Sequence, residues 1–330
     1  MRKEEDAKDI NWLRRISSFA PARIILTANN FRIFDRLEGK GKTAEEVSHK
    51  ISADRRATGL LLNSLTAIGL LEKEGNRFRN SSVASRYLVK GKPGYQGDIL
   101  SHYSVLWDNW SALDTVLKTG KPQRRSHDHR SFILGMHNLA LLRVKKVIGN
   151  INLEGVRRAL DLGGGPGTYS MAFARKGIEV TLFDYPDTLK ISGRLIKEAH
   201  LERAIGLQPG DFTEDEWGDN FDLVFISQIL HAYGPEQCIA MLKKCYDSLR
   251  PGGRVVVQEF LLDENRTSPP KGALFAINML VNTPGGRTYT VKEISSWMKK
   301  ARFTALSHKI LDDAVLISGT KKVLATRKAS

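Results

Sequence analysis

The apolar positions of this chain keep a mostly helical period up to residue 149, and beyond residue 157 short apolar strands alternate with helices. Between 11 and 38 the large apolar residues are Trp12, Leu13, Ile16 and Phe19, then Ile24, Ile25, Ala28, Phe31, Phe34 and Leu37. Pro21 separates the two sets, and proline is tolerated only at a helix start, so two helices are expected. Thr43-Ala-Glu-Glu46 is a capping box, which opens a short helix to about Ile51. Leu60, Leu61, Leu62, Leu65, Ile68, Leu70 and Leu71 mark a second helix over about 53–71. Residues 72–81 (EKEGNRFRNS) hold a Gly-Asn pair between short runs and read as a small β-wing. Helix, turn, helix and wing make a winged-helix unit. From 97 to 149 the period is helical again, with Leu100, Tyr103, Leu106, Trp107, Trp110, Leu113 and Leu117, then Phe132, Met136, Leu139, Leu142, Val144 and Val147.

In the second half, apolar strands are expected at 159–162, at a run ending on Asp184, and at 221–227, which is apolar almost throughout. Such a continuous run is what a strand covered on both faces needs. Residues 198–206 read as a loop, with a short third strand ending in 208–212. A helix starts at Gly234-Pro235, runs to Leu249 and is stopped by Pro251-Gly252-Gly253, ahead of a fifth strand over 254–260. Helices over 271–281 and 291–301 and strands over 305–311 and 314–320 close the pattern. Alternating strands and helices imply a doubly wound α/β sheet, whose ligands sit at the carboxyl ends of the strands.

A glycine stretch lies at the first of those ends. Gly163, Gly164, Gly165 and Gly167 let the backbone approach a ligand closely, and Asp184 follows at the distance at which a ribose is commonly held. The spacing excludes a dinucleotide fingerprint. Counting G-x-G-x-x-G from Gly163 puts Thr168 in the last place, and counting from Gly165 puts Ser170 there.

Charge and cysteine content narrow the setting. Lys and Arg number 51 against 36 Asp and Glu, a net +15 that favours anionic partners but is scattered along the chain as solubility charge would be. The densest run, 121–130 (KPQRRSHDHR), reads as a solvated loop, and its His and Asp residues are too irregular for a metal site. Cys238 and Cys245 lie two turns apart on one helix, too far to bridge, and read as buried fillers in a reducing compartment. The charged start (MRKEEDAKDI) is no signal peptide, and no run approaches the roughly 20 apolar residues of a membrane span. A cytoplasmic protein without a membrane partner is expected. A winged helix raises duplex binding as a competing role, but the leucine-rich second helix offers only Asn63, Ser64 and Thr66 beyond Arg55 and Arg56. Such a helix suits a protein partner rather than nucleic acid.

The motif Asp161-x-Gly-x-Gly-x-Gly resembles that of S-adenosylmethionine (SAM) dependent methyltransferases. More narrowly, the chain is similar to the O-methyltransferase family that includes plant caffeate and bacterial polyketide-tailoring enzymes. The resemblance spans nearly the whole chain, through DLGGGPG at 161–167, FDYP at 183–186, GDF at 210–212, LHAYGPEQC at 230–238, LRPGG at 249–253 and NTPGGRTYT at 282–290. It implies an N-terminal all-α, winged-helix dimerisation domain over 1–96, hence a homodimer. Over 97–330 it implies a helical connector and a Rossmann-like class I methyltransferase domain.

Carried over by position, Gly163 and Gly165 would lie against the methionyl part of SAM, and Asp184 would accept bonds from the ribose hydroxyls. Asp211 would meet the adenine amino group, Phe212 would pack on the ring, and Ser227 stands where some members place a SAM-contacting lysine. His231 matches the general base and Glu259 the acid that orients it. Phe132, Met136 and Met279 would line the pocket of a small-molecule acceptor. SAM, converted to S-adenosylhomocysteine (SAH), is the cofactor, and no metal is implied. The chain departs from the family at Ala232 and Tyr233, where Asp and Trp are common, and at Thr288, where plant members have a second acid. Those departures leave room for methylation of carbon or nitrogen on the same scaffold. A winged-helix regulator that binds SAM as a ligand or not at all is the remaining alternative.

Overall fold

The computed structural model describes residues 2–323, so the outer limits expected for the two domains, residues 1 and 330, lie outside the described residues. The chain divides into two compact units, 1–104 and 105–330.

In the first unit, helices span Arg2–Ile16, Ala20–Asn30, Ile33–Leu37, Ala44–Ile51 and Arg55–Ala67. Pro21 opens the second of these, as expected, but the helix foreseen to continue through Leu37 is broken by Arg32 in the left-handed region (φ 54°). The capping box forms: Glu46 N–H donates to Thr43 Oγ1 at 3.2 Å and Thr43 N–H to Glu46 Oε2 at 2.6 Å. The leucine-rich helix stops at Ala67 rather than Leu71, because Gly69 turns the chain at φ 80° and Leu71 opens a strand. Strands Leu71–Glu74 and Arg77–Asn80 form the wing, and Lys42–Thr43 adds a third, antiparallel strand. Phe34, Leu37, Val47, Leu62, Leu65 and Phe78 make its core. Trp12, Leu13, Ile16 and Phe19 are instead 51–66% exposed, so this chain alone does not bury them.

The second unit is built on seven strands: β1 (Arg158–Leu162), β2 (Glu179–Asp184), β3 (Ile205–Pro209), β4 (Phe221–Ser227), β5 (Leu249–Phe260), β6 (Thr304–Leu311) and β7 (Ala314–Thr320). Their spatial order is 3-2-1-4-5-7-6. Strands 1 to 5 run parallel, and β7 is antiparallel to both β5 and β6. Helices cover both faces, which explains the unbroken apolar run of β4. Val224 and Ile226 enter one core layer with Leu162, Phe183 and Trp217, whereas Leu223 and Phe225 enter the other with Phe173 and Val180. Cys238 and Cys245 are free thiols buried in the first layer.

Three expectations are corrected here. The third strand begins at Ile205, inside the foreseen loop. Pro251-Gly252-Gly253 lies within β5, where a register shift opposite Phe221 and Leu223 accommodates it. Residues 121–128 do form an irregular connection, but a tethered one: Gln123 N–H donates to the Val281 carbonyl at 3.2 Å, and Arg125 and Ser126 N–H donate to Asn109 Oδ1. The parallel register brings the ends of β1, β2, β4 and β5 to one edge, with Leu162 beside Phe183 and Ile226, and Ser227 beside Gln258.

Candidate active site at the carboxyl edge of the sheet

β1 runs directly into the glycine turn, where Gly163, Gly165 and Gly167 all take positive φ (62°, 54° and 73°). Each side of the turn is constrained differently. A Cβ at Gly164 would lie 2.7 Å from the Asp161 carboxylate, whereas a Cβ at Gly165 would meet nothing within 4 Å. The backbone at Gly165 therefore opens onto space above the strands, as a turn that admits a ligand must.

Asp184 closes the turn from β2. Its Oδ2 accepts Gly165 N–H at 2.8 Å and its Oδ1 accepts Tyr185 N–H at 2.7 Å. Burial raises its pKa, and those two N–H groups oppose the rise. Asp161, fully buried beneath the turn, accepts Ser170 Oγ–H at 2.5 Å through Oδ2, while Oδ1 has no hydrogen-bond partner among the described residues. Burial, with Asp184 adding repulsion, pushes its carboxyl up to about 7. The folded state thus holds a proton that the unfolded chain releases near pH 4. Between those two values the native state binds more protons than the unfolded one, so stability falls as pH rises from about 4 to about 7 and levels off above. Urea titrations of the unliganded Asp161→Asn variant should show a correspondingly flatter pH dependence than the parent; an unchanged slope would refute this.

Asp211 follows β3 and remains accessible. Thr213 donates to its Oδ1 from Oγ1 at 2.6 Å and from N at 2.8 Å, holding its carboxyl below the usual carboxylate range. Phe212 beside it is buried, with ring centroids 5.1 Å from Tyr185 and 5.9 Å from Tyr233. Ser227, at the end of β4, donates to Gln258 Oε1 at 3.1 Å. Gln228 then takes φ 57°, an uncommon conformation for a non-glycine residue, and turns the chain toward His231.

His231 lies in the short 3-10 turn Leu230–Ala232. Its Nδ1 is 2.8 Å from Glu259 Oε2, and its backbone N–H donates to Oε1 at 3.2 Å. An ionised carboxylate only accepts, so in the neutral imidazole the proton belongs on Nδ1 and the lone pair on Nε2. Phe275 packs edge-on to the imidazole at 4.8 Å between centroids, and stacks on Phe260 at 3.9 Å. Thr288 donates to the Gly272 carbonyl at 2.8 Å, so among the described residues Glu259 is the carboxylate bonded to this histidine.

Phe132 and Met136 occupy successive turns of helix His129–Leu141, and Met279 is buried on helix Pro270–Asn282. The first of these helices is pinned to the edge of the sheet by His137 Nδ1 against Thr168 Oγ1 (2.7 Å) and His129 Nε2 against Thr188 Oγ1 (3.2 Å). Among the described residues, no three His, Cys, Asp or Glu side chains converge as metal ligands, and no helix is long and apolar enough to cross a membrane.

Residues 119–304 match the O-methyltransferase domain family, and residues 13–90 match the O-methyltransferase dimerisation domain. The chain belongs to the SAM-dependent O-methyltransferase family. It is 30% identical over 285 residues to 3-hydroxy-5-methyl-1-naphthoate 3-O-methyltransferase of Streptomyces sahachiroi, with 82% of each chain covered. Against the L-tyrosine C(3)-methyltransferase of Streptomyces lavendulae the identity is 26%, covering 93% of this chain and 89% of that one. Human N-acetylserotonin methyltransferase, solved in complex with SAM, shares the fold with a TM-score of 0.87 at 23% identity, over 96% of this chain and 98% of that one.

In this methyltransferase several residues at the edge of the sheet escaped sequence reading. Tyr185 lies inside the FDYP run and Tyr233 inside LHAYGPEQC, so their signal was present but unassigned. Phe275 and Gln258 sit next to foreseen residues in space. His129 and His137 had no local signal, because their partners lie 59 and 31 positions away.

Proposed function

We propose that this enzyme methylates a hydroxyl of an aromatic or polyketide-like small molecule, with His231 as general base. The observation that supports this reading is the His231–Glu259 pair at the edge where the strands end, because a carboxylate on Nδ1 leaves Nε2 of a neutral imidazole to take a proton. When bound, SAM supplies a methyl group activated by a positively charged sulfur. The chain's task is to place the acceptor in line with that methyl and to remove its proton. A phenol ionises near pH 10, so an imidazole within reach lowers the cost of forming the nucleophile. Glu259, 2% exposed, then stabilises the imidazolium without leaving its hydrogen bonds.

The residues at the edge suit a cation with ribose hydroxyls, because they offer open backbone and carboxylate acceptors. Gly163 and Gly165 would lie along the methionyl part, Asp184 would take the ribose, and Asp211 the adenine amino group. Phe212 would pack on the adenine ring, and Ser227, tied to Gln258, would border the cofactor. Phe132, Met136 and Met279 would contact the acceptor. A second copy of the chain would cover Trp12, Leu13, Ile16 and Phe19, giving a homodimer.

Calorimetric titration with SAM, followed by mass spectrometry of incubations with phenols and hydroxynaphthalenes, tests the reading. Tight SAM binding and a singly methylated product are expected; a protein that does not bind SAM would sink it. The tyrosine C-methylating relative motivates a second reading, methylation of ring carbon beside a deprotonated phenol. Product NMR separates them, since only the first yields an aryl methyl ether.

A further inference from the structure

We propose that the basic segment 121–130 is a specificity element that selects acceptors bearing a carboxylate on the aromatic ring. This rests on the methyltransferase reading above and adds the charge of the acceptor to it. The segment carries Lys121, Arg124, Arg125 and Arg130 against one acid, Asp128. That acid serves as the N-cap of helix His129–Leu141, where its Oδ1 accepts Ser131 N–H at 3.0 Å. The four cations are exposed, and none takes part in an ion pair among the described residues.

A solvated loop needs nothing to hold it, yet this one is fixed from below. Asn109, 1% exposed, accepts Arg125 and Ser126 N–H through Oδ1 at 2.9 and 2.8 Å. Its Nδ2 donates to the Ser126 carbonyl and to Asn282 Oδ1 at 3.2 and 2.9 Å. Every polar atom of a buried side chain is thereby spent on positioning the segment against helix Pro270–Asn282. Gln123 is bonded to Val281 of the same helix, which carries Phe275 against the His231 ring and Met279 one turn on. At the other end, His129 bonds Thr188 in the helix that follows Asp184. The cations are therefore strung on a frame running from the acceptor-side helix to the cofactor-side turn.

Arg124 also meets His127 Nδ1, and the Asp108 carboxylate accepts Ser126 Oγ–H at 3.1 Å. Four cations that outnumber Asp128 and Asp108 in that place attract an anionic acceptor over about one Debye length, roughly 8 Å at physiological ionic strength. Exposed pairs are individually weak, so reversing two of them should change binding by about tenfold.

The test titrates SAH-loaded enzyme with 3-hydroxy-1-naphthoate and with 2-naphthol, its decarboxylated counterpart, at low and high salt. Naphthoate should bind more tightly, lose that advantage in high salt, and bind about tenfold more weakly to R124E/R125E. Naphthol and SAH should bind the variant as they bind the parent. Equal responses of the two probes, or an enzyme that binds SAH and not naphthoate, would overturn the proposal. Failure to bind SAH would instead overturn the methyltransferase reading, and this inference with it.

Discussion

Replacing His231 with alanine should lower kcat by about 10²–10⁴-fold at neutral pH while leaving the affinity for SAM within a few-fold of the parent. The reason is the division of labour at the edge of the sheet. The imidazole meets Glu259, Phe260 and Phe275, none of them among the residues proposed to hold the cofactor, so its loss removes proton transfer and little else. Deleting the ring also strands a carboxylate that is 2% exposed, and an unpaired buried charge destabilises the fold. The double variant H231A/E259Q avoids that penalty and should show the same loss of rate. The pH profile separates base catalysis from a packing defect. Without the imidazole the acceptor must ionise unaided, so the variant's rate should climb with pH toward the phenol's own pKa of about 10. Stopped single-turnover assays with a phenolic acceptor read both effects. A variant whose rate at neutral pH is nearly that of the parent would show that positioning alone suffices, and the base assignment would fall.

How much of this arrangement is legible in the chain depends on how local each signal is. The glycine turn and Asp184 are 19 positions apart at the bonded pair Gly165–Asp184, and strand, turn, helix and strand intervene in a fixed order that patterning alone reveals. The same holds for β4, whose residues 223–226 alternate between two core layers and so must be apolar. What escapes is set by contacts with no local pattern. Arg32 breaks a helix whose apolar period continues past it, because the period reports burial and not backbone continuity. Ile205 starts a strand with only Ile205 itself buried, too short a run to distinguish from a loop. The segment 121–130 has the composition of solvent-facing chain, and its tethers, Asn109 and the Val281 carbonyl among them, lie on helices outside the segment. Glu259 shows both sides of this. Its place at the end of an apolar strand is readable, but only the fold brings it to His231, 28 positions earlier.

Asp184→Asn should weaken SAM binding by about 10²-fold or more, the larger of two contrasting carboxylate effects. In the folded chain both oxygens already accept backbone N–H groups, one from Gly165 and one from Tyr185. A carboxylate can do this and still offer lone pairs to two ribose hydroxyls; an amide cannot. One end of asparagine would be an NH₂ group facing an N–H donor, so either Gly165 or Tyr185 loses its acceptor and the turn relaxes. Bonds to a charged acceptor contribute roughly 1.5–3 kcal/mol each, and losing one or two of them corresponds to that change in affinity. Asp211→Asn is the informative contrast. Asp211 is accessible, its Oδ1 is engaged by Thr213, and it would meet only the adenine amino group, so a loss of about tenfold or less is expected. Calorimetric titration with SAM compares the two, and thermal unfolding without ligand checks that each variant is folded. Should Asp184→Asn bind SAM within about threefold of the parent while Asp211→Asn loses most of its affinity, the ribose would not be held from β2. The glycine turn would then be shaped by Asp184 for backbone approach alone, with recognition of the nucleoside carried by the residues that follow β3.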